Sequence, residues 1–93
     1  MRTIRYSSRF KRDYRREKSG RLGKDLDAML REVLDLLVKD LPLPQKNFDH
    51  PLSGSWVDCR DCHIRPDLVL IYQKTGNDWL ELVRLGSHSE LGL

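Results

Sequence analysis

The sequence lacks a long apolar run. Its longest one, Leu68 to Tyr72, has five residues, whereas a membrane-spanning helix needs about 20. The basic N-terminus leads into no apolar segment of the kind that a secretory signal contains. With two cysteines the chain has no disulfide framework, so a reducing cytoplasm is the predicted location.

Apolar residues are few overall, at 39% hydrophobic against 33% charged. Leu, Ile and Val still suffice to close one small core, which excludes wholesale disorder. A chain of 93 residues is long enough for one domain and too short for two. Residues 1–93 are therefore predicted to form a single domain.

Acidic residues are scarce in the first part of the chain. Residues 1–24 contain ten basic side chains and two acidic ones, a charge of +8, whereas residues 25–93 contain seven and twelve, a charge of −5. This asymmetry has two interpretations. One is a solvated basic helix without a partner, and the other is a surface that binds a polyanion. Nucleic acid, an acidic protein and an anionic membrane all remain open on this ground. The candidates for RNA or phosphate binding here are Lys11, Arg12, Arg15 and Arg16.

Hydrophobic periodicity predicts two helices after a short strand at residues 3–6. The first helix has Ser7 or Ser8 as its N-cap and ends near Lys18. The second covers about residues 22–40, because Leu, Met and Val recur there at three- and four-residue intervals. The sequence Leu-Pro-Leu-Pro at 41–44 stops it.

A loop at residues 43–55 precedes three strand-like runs, at about 56–64, 68–74 and 79–85. The last two are joined by a hairpin signal, Thr75-Gly76-Asn77-Asp78. The predicted order is β-α-α-β-β-β. This order is typical of an α+β sandwich in which two helices pack on one mainly antiparallel four-stranded sheet.

Histidines and aspartates fall at related places in this predicted sheet. His50 precedes the 56–64 strand, and Asp61 and His63 share one face of it because they are two residues apart. Asp67 opens the next strand, and His88 follows the last. All five side chains are expected to converge on one edge of the sheet.

The segment Cys59-Arg60-Asp61-Cys62-His63 matches the C-x-x-C-H pattern of haem attachment and contains a C-x-x-C redox spacing. Haem attachment requires export, and no export signal is visible. Residues three apart on a strand point to opposite faces, so the two thiols are not placed to bridge or to share a metal. A packing role on both sides of the strand is predicted instead.

Two chemistries suit the histidine set. A metal site from His50, His63, Asp67 and His88 is reasonable by ligand type, but no H-x-x-H or H-E-x-x-H spacing supports it. Metal-free RNA cleavage fits better, since it needs a base for the ribose 2′-hydroxyl and an acid for the leaving 5′-oxygen, and histidine serves as either. Arg84 or Arg60 is predicted to steady the phosphorane charge.

Three separated motifs make the chain recognisable. They are Asp49-His50-Pro51-Leu52-x-Gly54-x-Trp56, Arg60-Asp61-x-His63-Ile64-x-Pro66-Asp67-x-x-Leu70-Ile71-Tyr72 and Arg84-Leu85-Gly86-Ser87-His88-Ser89-Glu90-Leu91. In this order and spacing, the whole chain resembles the YafQ branch of the RelE/ParE toxin superfamily.

The resemblance implies a type II toxin–antitoxin toxin that cuts mRNA in the ribosomal A site without metal or cofactor. By motif, His88 would donate the proton to the leaving oxygen, His63 or Asp67 would be the base, His50 would position the phosphate, and Asp61 would orient a histidine or brace the strand. The implied partners are an antitoxin, the 70S ribosome with its rRNA, and mRNA. Operator DNA would be met only through the antitoxin complex, and no membrane is implied.

The tail departs from the family pattern. That pattern commonly ends His-x-x-Leu-Phe, and here Gly92 stands at the place of the aromatic. The expectation is a correct fold and site with reduced or redirected cleavage, because base stacking is lost. Two alternatives stay open: a gyrase-inhibiting toxin of the same fold, which has no evident need of the histidine set, and an inactive relative that retains antitoxin binding.

Overall fold

The core of the molecule is a five-stranded sheet in the order β1-β5-β4-β3-β2. The computed structural model describes all of residues 1–93. β1 runs parallel to β5, and every other neighbouring pair is antiparallel. The strands are β1 Thr3–Tyr6, β2 His50–Pro51, β3 Arg60–Arg65, β4 Leu68–Thr75 and β5 Trp79–Gly86, and the helices are α1 Ser8–Lys18, α2 Gly23–Val38 and α3 His88–Leu91.

The predicted α+β class and the order of the main elements are confirmed. Ser7 caps α1, since its side chain accepts a hydrogen bond from the Phe10 N–H. The predicted count of four strands is wrong by one, because the two-residue strand β2 lies inside the predicted loop. The predicted strand start at residue 56 is also wrong: Gly54–Trp56 forms a 3₁₀ turn, and β3 begins at Arg60.

The two faces of the sheet have different coverings. α1 and α2 pack on one face, called the helix face here, where the larger core forms around Leu26, Leu37, Leu70 and Leu82. The opposite face carries a smaller cluster of Val69, Ile71 and Leu91, the last contributed by α3. Only a short helix covers this second face, so polar side chains have room beside it. No helix has the length and apolar character that crossing a bilayer requires.

Beyond the end of β1, α1 takes over the edge of β5. The Ser7 hydroxyl donates to the Val83 carbonyl at 2.7 Å, and an Asp13 carboxylate oxygen accepts the Leu85 N–H at 3.0 Å. Arg16 donates to the Leu85 carbonyl at 2.9 Å. These side chains satisfy backbone groups that would otherwise lack a strand partner, and they fix α1 to the sheet.

Candidate active site

The pleat of β3 places Asp61 and His63 on the face away from the long helices. Their register partners on β4 are Ile71 and Val69, both in the cluster of that face. His50 on β2 lies directly across from Asp61, with its Nε2 2.7 Å from the carboxylate Oδ1. The short strand β2, which the sequence did not reveal, is therefore the element that brings His50 to the site.

His88 is held by two fixed elements. It is the first residue of α3, whose start is secured by a capping box between Ser87 and Glu90. One oxygen of Asp67, in the turn before β4, lies 2.7 Å from His88 Nδ1 and accepts the His88 backbone N–H at 3.1 Å. Because an ionised carboxylate only accepts, Nδ1 carries the proton of this hydrogen bond, which leaves Nε2 for other partners.

His63 joins the two halves of the cluster. Its ring meets the His88 ring edge to face, with 5.0 Å between centroids, and the Phe48 ring lies 5.3 Å away on another side. The predicted convergence of His50, His63 and His88 with Asp61 and Asp67 is thus what the structure has.

Asp61 is the buried member of this set. Its residue is 2% exposed, and burial raises its pKa despite the opposing charges of His50, His63 and His88. Although His50 Nε2 lies 2.7 Å from Oδ1, this oxygen accepts no hydrogen bond within the protein. The site thus contains a desolvated carboxyl surrounded by titratable rings, an arrangement common where protons are transferred.

Asp67 is the opposite case, an exposed carboxyl. Hydrogen bonds from the His88 ring and from the His88 backbone hold its pKa below the usual value. A carboxylate with a lowered pKa is a poor general base at neutral pH. Of the two predicted bases, the structure therefore favours His63.

Neither predicted phosphate-binding arginine of the sheet contacts the histidines. Arg84 is paired with the buried Asp13, its Nε 2.7 Å from Oδ2, and its side chain is 14% exposed. Arg60 lies on the helix-face side of β3, opposite Tyr72, and its Nε is 3.2 Å from the Asp49 carboxylate. Arg84 thus serves as the partner of a structural carboxylate, while Arg60 is partly exposed and held less firmly.

The four predicted cations of α1 also separate. Arg16 is bound into the fold by Asp13, Glu17, Glu90 and the Leu85 carbonyl. Lys11, Arg12 and Arg15 are exposed and form no ion pair within the chain. None of the four bonds to the histidine cluster, so the basic helix is a surface distinct from it.

Asp13 is a charged residue that the sequence analysis did not single out. Burial by itself raises the pKa of its carboxyl, but hydrogen bonds from Arg84 and the Leu85 N–H, with the charges of Arg84 and Arg16, bring that pKa below its usual value. Asp13 is 3% exposed. Asp13 is one of only two acids in a basic helix, which was the available signal, but its partner is 71 residues away.

The two cysteines pack on opposite faces of the sheet, as predicted, but only Cys62 lies within a strand, because β3 begins one residue after Cys59. Cys62 is in the core of the helix face, and Cys59 packs against the cluster of the opposite face. Burial raises the pKa of both thiols, which makes them poor nucleophiles.

No group of three or more His, Cys, Asp or Glu side chains is placed to hold one metal ion.

Gly92 has a structural task of its own. It ends α3 in the left-handed conformation, with φ of +72°, and the next residue returns its N–H to the His88 carbonyl at 2.9 Å. The tail turns back at the place where the family pattern has its aromatic.

Comparisons with known proteins agree on one family. Residues 2–92 match the family described as the bacterial toxin of a type II toxin–antitoxin system, YafQ. The chain is 38% identical over 91 residues to the mRNA interferase toxin YafQ of Escherichia coli K12, which covers 97% of this chain and 95% of that protein.

Solved structures of toxins superpose on nearly all of this chain. A copper-bound mutant toxin from Helicobacter pylori superposes with a TM-score of 0.85 at 38% identity, covering 98% of this chain and 99% of that one. The matching chain in the E. coli DinJ–YafQ complex has a TM-score of 0.77 at 35% identity, with 98% of each chain covered.

Proposed function

The chain belongs to the YafQ family of toxins from type II toxin–antitoxin systems, and from that premise we propose that it is a ribosome-dependent endoribonuclease that cuts mRNA in the A site by metal-free acid–base chemistry. The observation that supports this most is the histidine cluster itself. His50, His63 and His88 surround the buried Asp61, and His88 is oriented by Asp67.

His63 and His88 are the proposed base and acid. His63 removes the proton from the ribose 2′-hydroxyl, whose oxygen attacks the adjacent phosphorus. His88 gives a proton from Nε2 to the departing 5′-oxygen, because its Nδ1 is occupied by Asp67. The products are a 2′,3′-cyclic phosphate and a 5′-hydroxyl. The rings are 5.0 Å apart at their centroids, a spacing that allows both to reach one phosphodiester.

His50 is proposed to support the phosphate. Its Nε2 lies 2.7 Å from the Asp61 carboxylate and its Nδ1 lies 3.1 Å from the Pro51 carbonyl, which keeps the ring at the site while about half of its side chain is exposed. Because no hydrogen bond to Asp61 engages Nε2, this nitrogen can donate to a phosphorane oxygen. Asp61 acts through His50 and is a positioning residue. Arg60 stays a predicted phosphate ligand, since its side chain is 43% exposed and lies nearer solvent than Arg84.

The proposed partners are the 70S ribosome with its rRNA, mRNA and a small antitoxin, which makes the cytoplasm the place of action. E. coli YafQ has been crystallised with DinJ. For this chain, the unpaired cations Lys11, Arg12 and Arg15 favour capture of an acidic antitoxin segment. Contact with operator DNA would then pass through the antitoxin.

Cell-free translation with end-labelled mRNA tests the function. The wild type is expected to cut within the reading frame only while the message is translated, and His88→Ala is expected to abolish the cuts. The same toxin, pretreated with a chelator and exchanged into translation buffer, should cut equally well.

Other outcomes would redirect the assignment. Cutting of naked mRNA would indicate a general ribonuclease, and loss of activity after chelation would indicate a metal enzyme. If nothing is cut, a DNA gyrase supercoiling assay separates a gyrase inhibitor from an inactive relative.

A further inference from the structure

Phe48 is the most exposed aromatic residue of the chain and stands beside the proposed base. Its residue is 62% exposed, and its ring centroid is 5.3 Å from that of His63. Its backbone is left-handed, with φ of +46°, a conformation that bulky residues rarely adopt. The ring belongs to neither core cluster, so packing of the core does not explain an apolar residue at this place.

The segment before Phe48 is clamped to β3. The buried Asn47 side chain donates to the His63 carbonyl at 2.7 Å, and the Phe48 N–H donates to the Gln45 carbonyl at 3.0 Å. The backbone that carries the phenyl ring is thereby tied to the backbone that carries the proposed base.

Two cations flank the ring. Lys46 and Arg65 are exposed and form no ion pair within the chain. Together with Phe48 and His63 they line a cavity of about 790 Å³ beside α2. The α2 wall also carries Glu32 and Asp35, and these carboxylates confine an anion to the side of Lys46 and Arg65.

We propose that Phe48 is the stacking platform for one base of the mRNA, with Lys46 and Arg65 neutralising the adjoining phosphates. This inference rests on the proposed function. A base that lies on Phe48 belongs to the nucleotide whose 2′-hydroxyl His63 deprotonates, or to its immediate neighbour, because the two rings are in contact. Aromatic faces bind every base, and flanking cations follow the backbone.

The test compares Phe48→Leu, which keeps an apolar side chain but removes the aromatic face, with Phe48→Trp, which keeps that face. The matched control is Tyr6→Leu, which removes another exposed aromatic, 51% exposed, from β1. Thermal unfolding establishes that each variant is folded. Cleavage is measured in cell-free translation across a range of toxin concentrations.

Binding is measured separately from cleavage. Each substitution is combined with His88→Ala and added to 70S ribosomes programmed with mRNA that carries 2-aminopurine in the A-site codon. Stacking quenches this fluorophore. Phe48→Leu is expected to weaken quenching and half-saturation about tenfold, while Phe48→Trp and Tyr6→Leu keep both near wild type.

Every other result would contradict one part of the stacking proposal or of the proposed function. If the wild type cuts mRNA and Phe48→Leu matches it in quenching and half-saturation, the stacking proposal is wrong and the proposed function stands. If only maximal cleavage falls and Phe48→Trp fails to rescue it, Phe48 merely supports His63. If Phe48→Leu loses antitoxin binding alone, the ring belongs to a protein interface. Phe48-dependent quenching by a wild type that never cuts would retain the subsite and overturn the nuclease.

Discussion

The carboxylate of Asp61 and the imidazole of His50 face each other across the β2–β3 pair, 2.7 Å apart, and only the carboxylate is buried. The buried carboxylate of Asp61 is held by the sheet, whereas the imidazole of His50 at the same register position is exposed to solvent. Because burial raises the pKa of Asp61, this pair also links activity to stability.

Asp61→Asn is expected to stabilise the fold and impair the enzyme. An acid with a raised folded-state pKa stabilises below its unfolded-state pKa and loses that contribution as the pH rises through the folded value. The neutral amide escapes this loss, so the gain should reach about 1 kcal/mol at pH 8 and shrink at pH 4. Thermal unfolding at both pH values measures it.

Cleavage by the Asp61→Asn protein should fall about 10–100-fold, because the positioning of His50 is altered. A gain in stability that is the same at both pH values would show that the carboxyl is not desolvated in the native protein.

Asp67 and His88 are expected to act as one unit. Asp67→Asn leaves a hydrogen-bonding group in place but removes the charge that orients the ring, and single-turnover cleavage should fall about 100-fold. Adding Asp67→Asn to His88→Ala should then have no further effect, since Asp67 acts only through that ring. Full additivity in this double-mutant cycle would mean that Asp67 has its own role, as the base.

Removing Asp13 alone should be severe. Asp13→Leu leaves Arg84 largely buried without a counter-charge, at a cost of about 3–5 kcal/mol. The double variant Asp13→Leu with Arg84→Leu should recover much of this in urea unfolding, because no buried charge remains.

That double variant also decides the role of Arg84. If Arg84 acts only as the partner of Asp13, the folded double variant should still cleave mRNA. If the double variant is stable but does not cleave, Arg84 is a phosphate ligand.

The Asp13–Arg84 pair also makes stability depend on pH. Since the pKa of Asp13 is lowered, its stabilising effect is present above the unfolded-state pKa and is lost as the pH falls through the folded value. The wild type should therefore lose more stability in acid than the double variant.

The first residue of α2 is a position that only glycine can occupy. A Cβ at Gly23 would lie 1.9 Å from the Lys18 carbonyl oxygen, whereas a Cβ at Gly20 would come no closer than 3.5 Å to its neighbours. Gly23→Ala should cost about 1–3 kcal/mol of unfolding free energy, and Gly20→Ala should be near neutral. Equal midpoints in urea would show that the α1–α2 turn moves freely.

Much of the site was predictable because its geometry is local. The two-residue period of a strand places Asp61 and His63 on one face whatever the rest of the fold does, and the long apolar stripe at residues 22–37 permits little except a helix. The predicted strand order added His50, Asp67 and His88 to this set, and the family motifs contain the same five residues.

The remainder depends on contacts between distant segments. β2 is two residues long and contains Pro51, so no pattern in the sequence distinguishes it from a loop. The pairing of Asp13 with Arg84 exists only because α1 covers the edge of β5, and no sequence pattern connects these two residues. Phe48 was hidden in the same way, since its importance comes from Asn47 being tied to β3.

The parallel pairing of β1 with β5 has a consequence for when the protein folds during its synthesis. Thr3 pairs with Trp79, and His88 follows β5, so neither the β1–β5 pair nor the histidine cluster can form until residues as far as His88 have been synthesised. Contacts of such large sequence separation also form slowly. Under the proposed function, the ribosome that synthesises this chain would therefore be spared by the incomplete chain, and the interval before folding is a window in which an antitoxin can bind it.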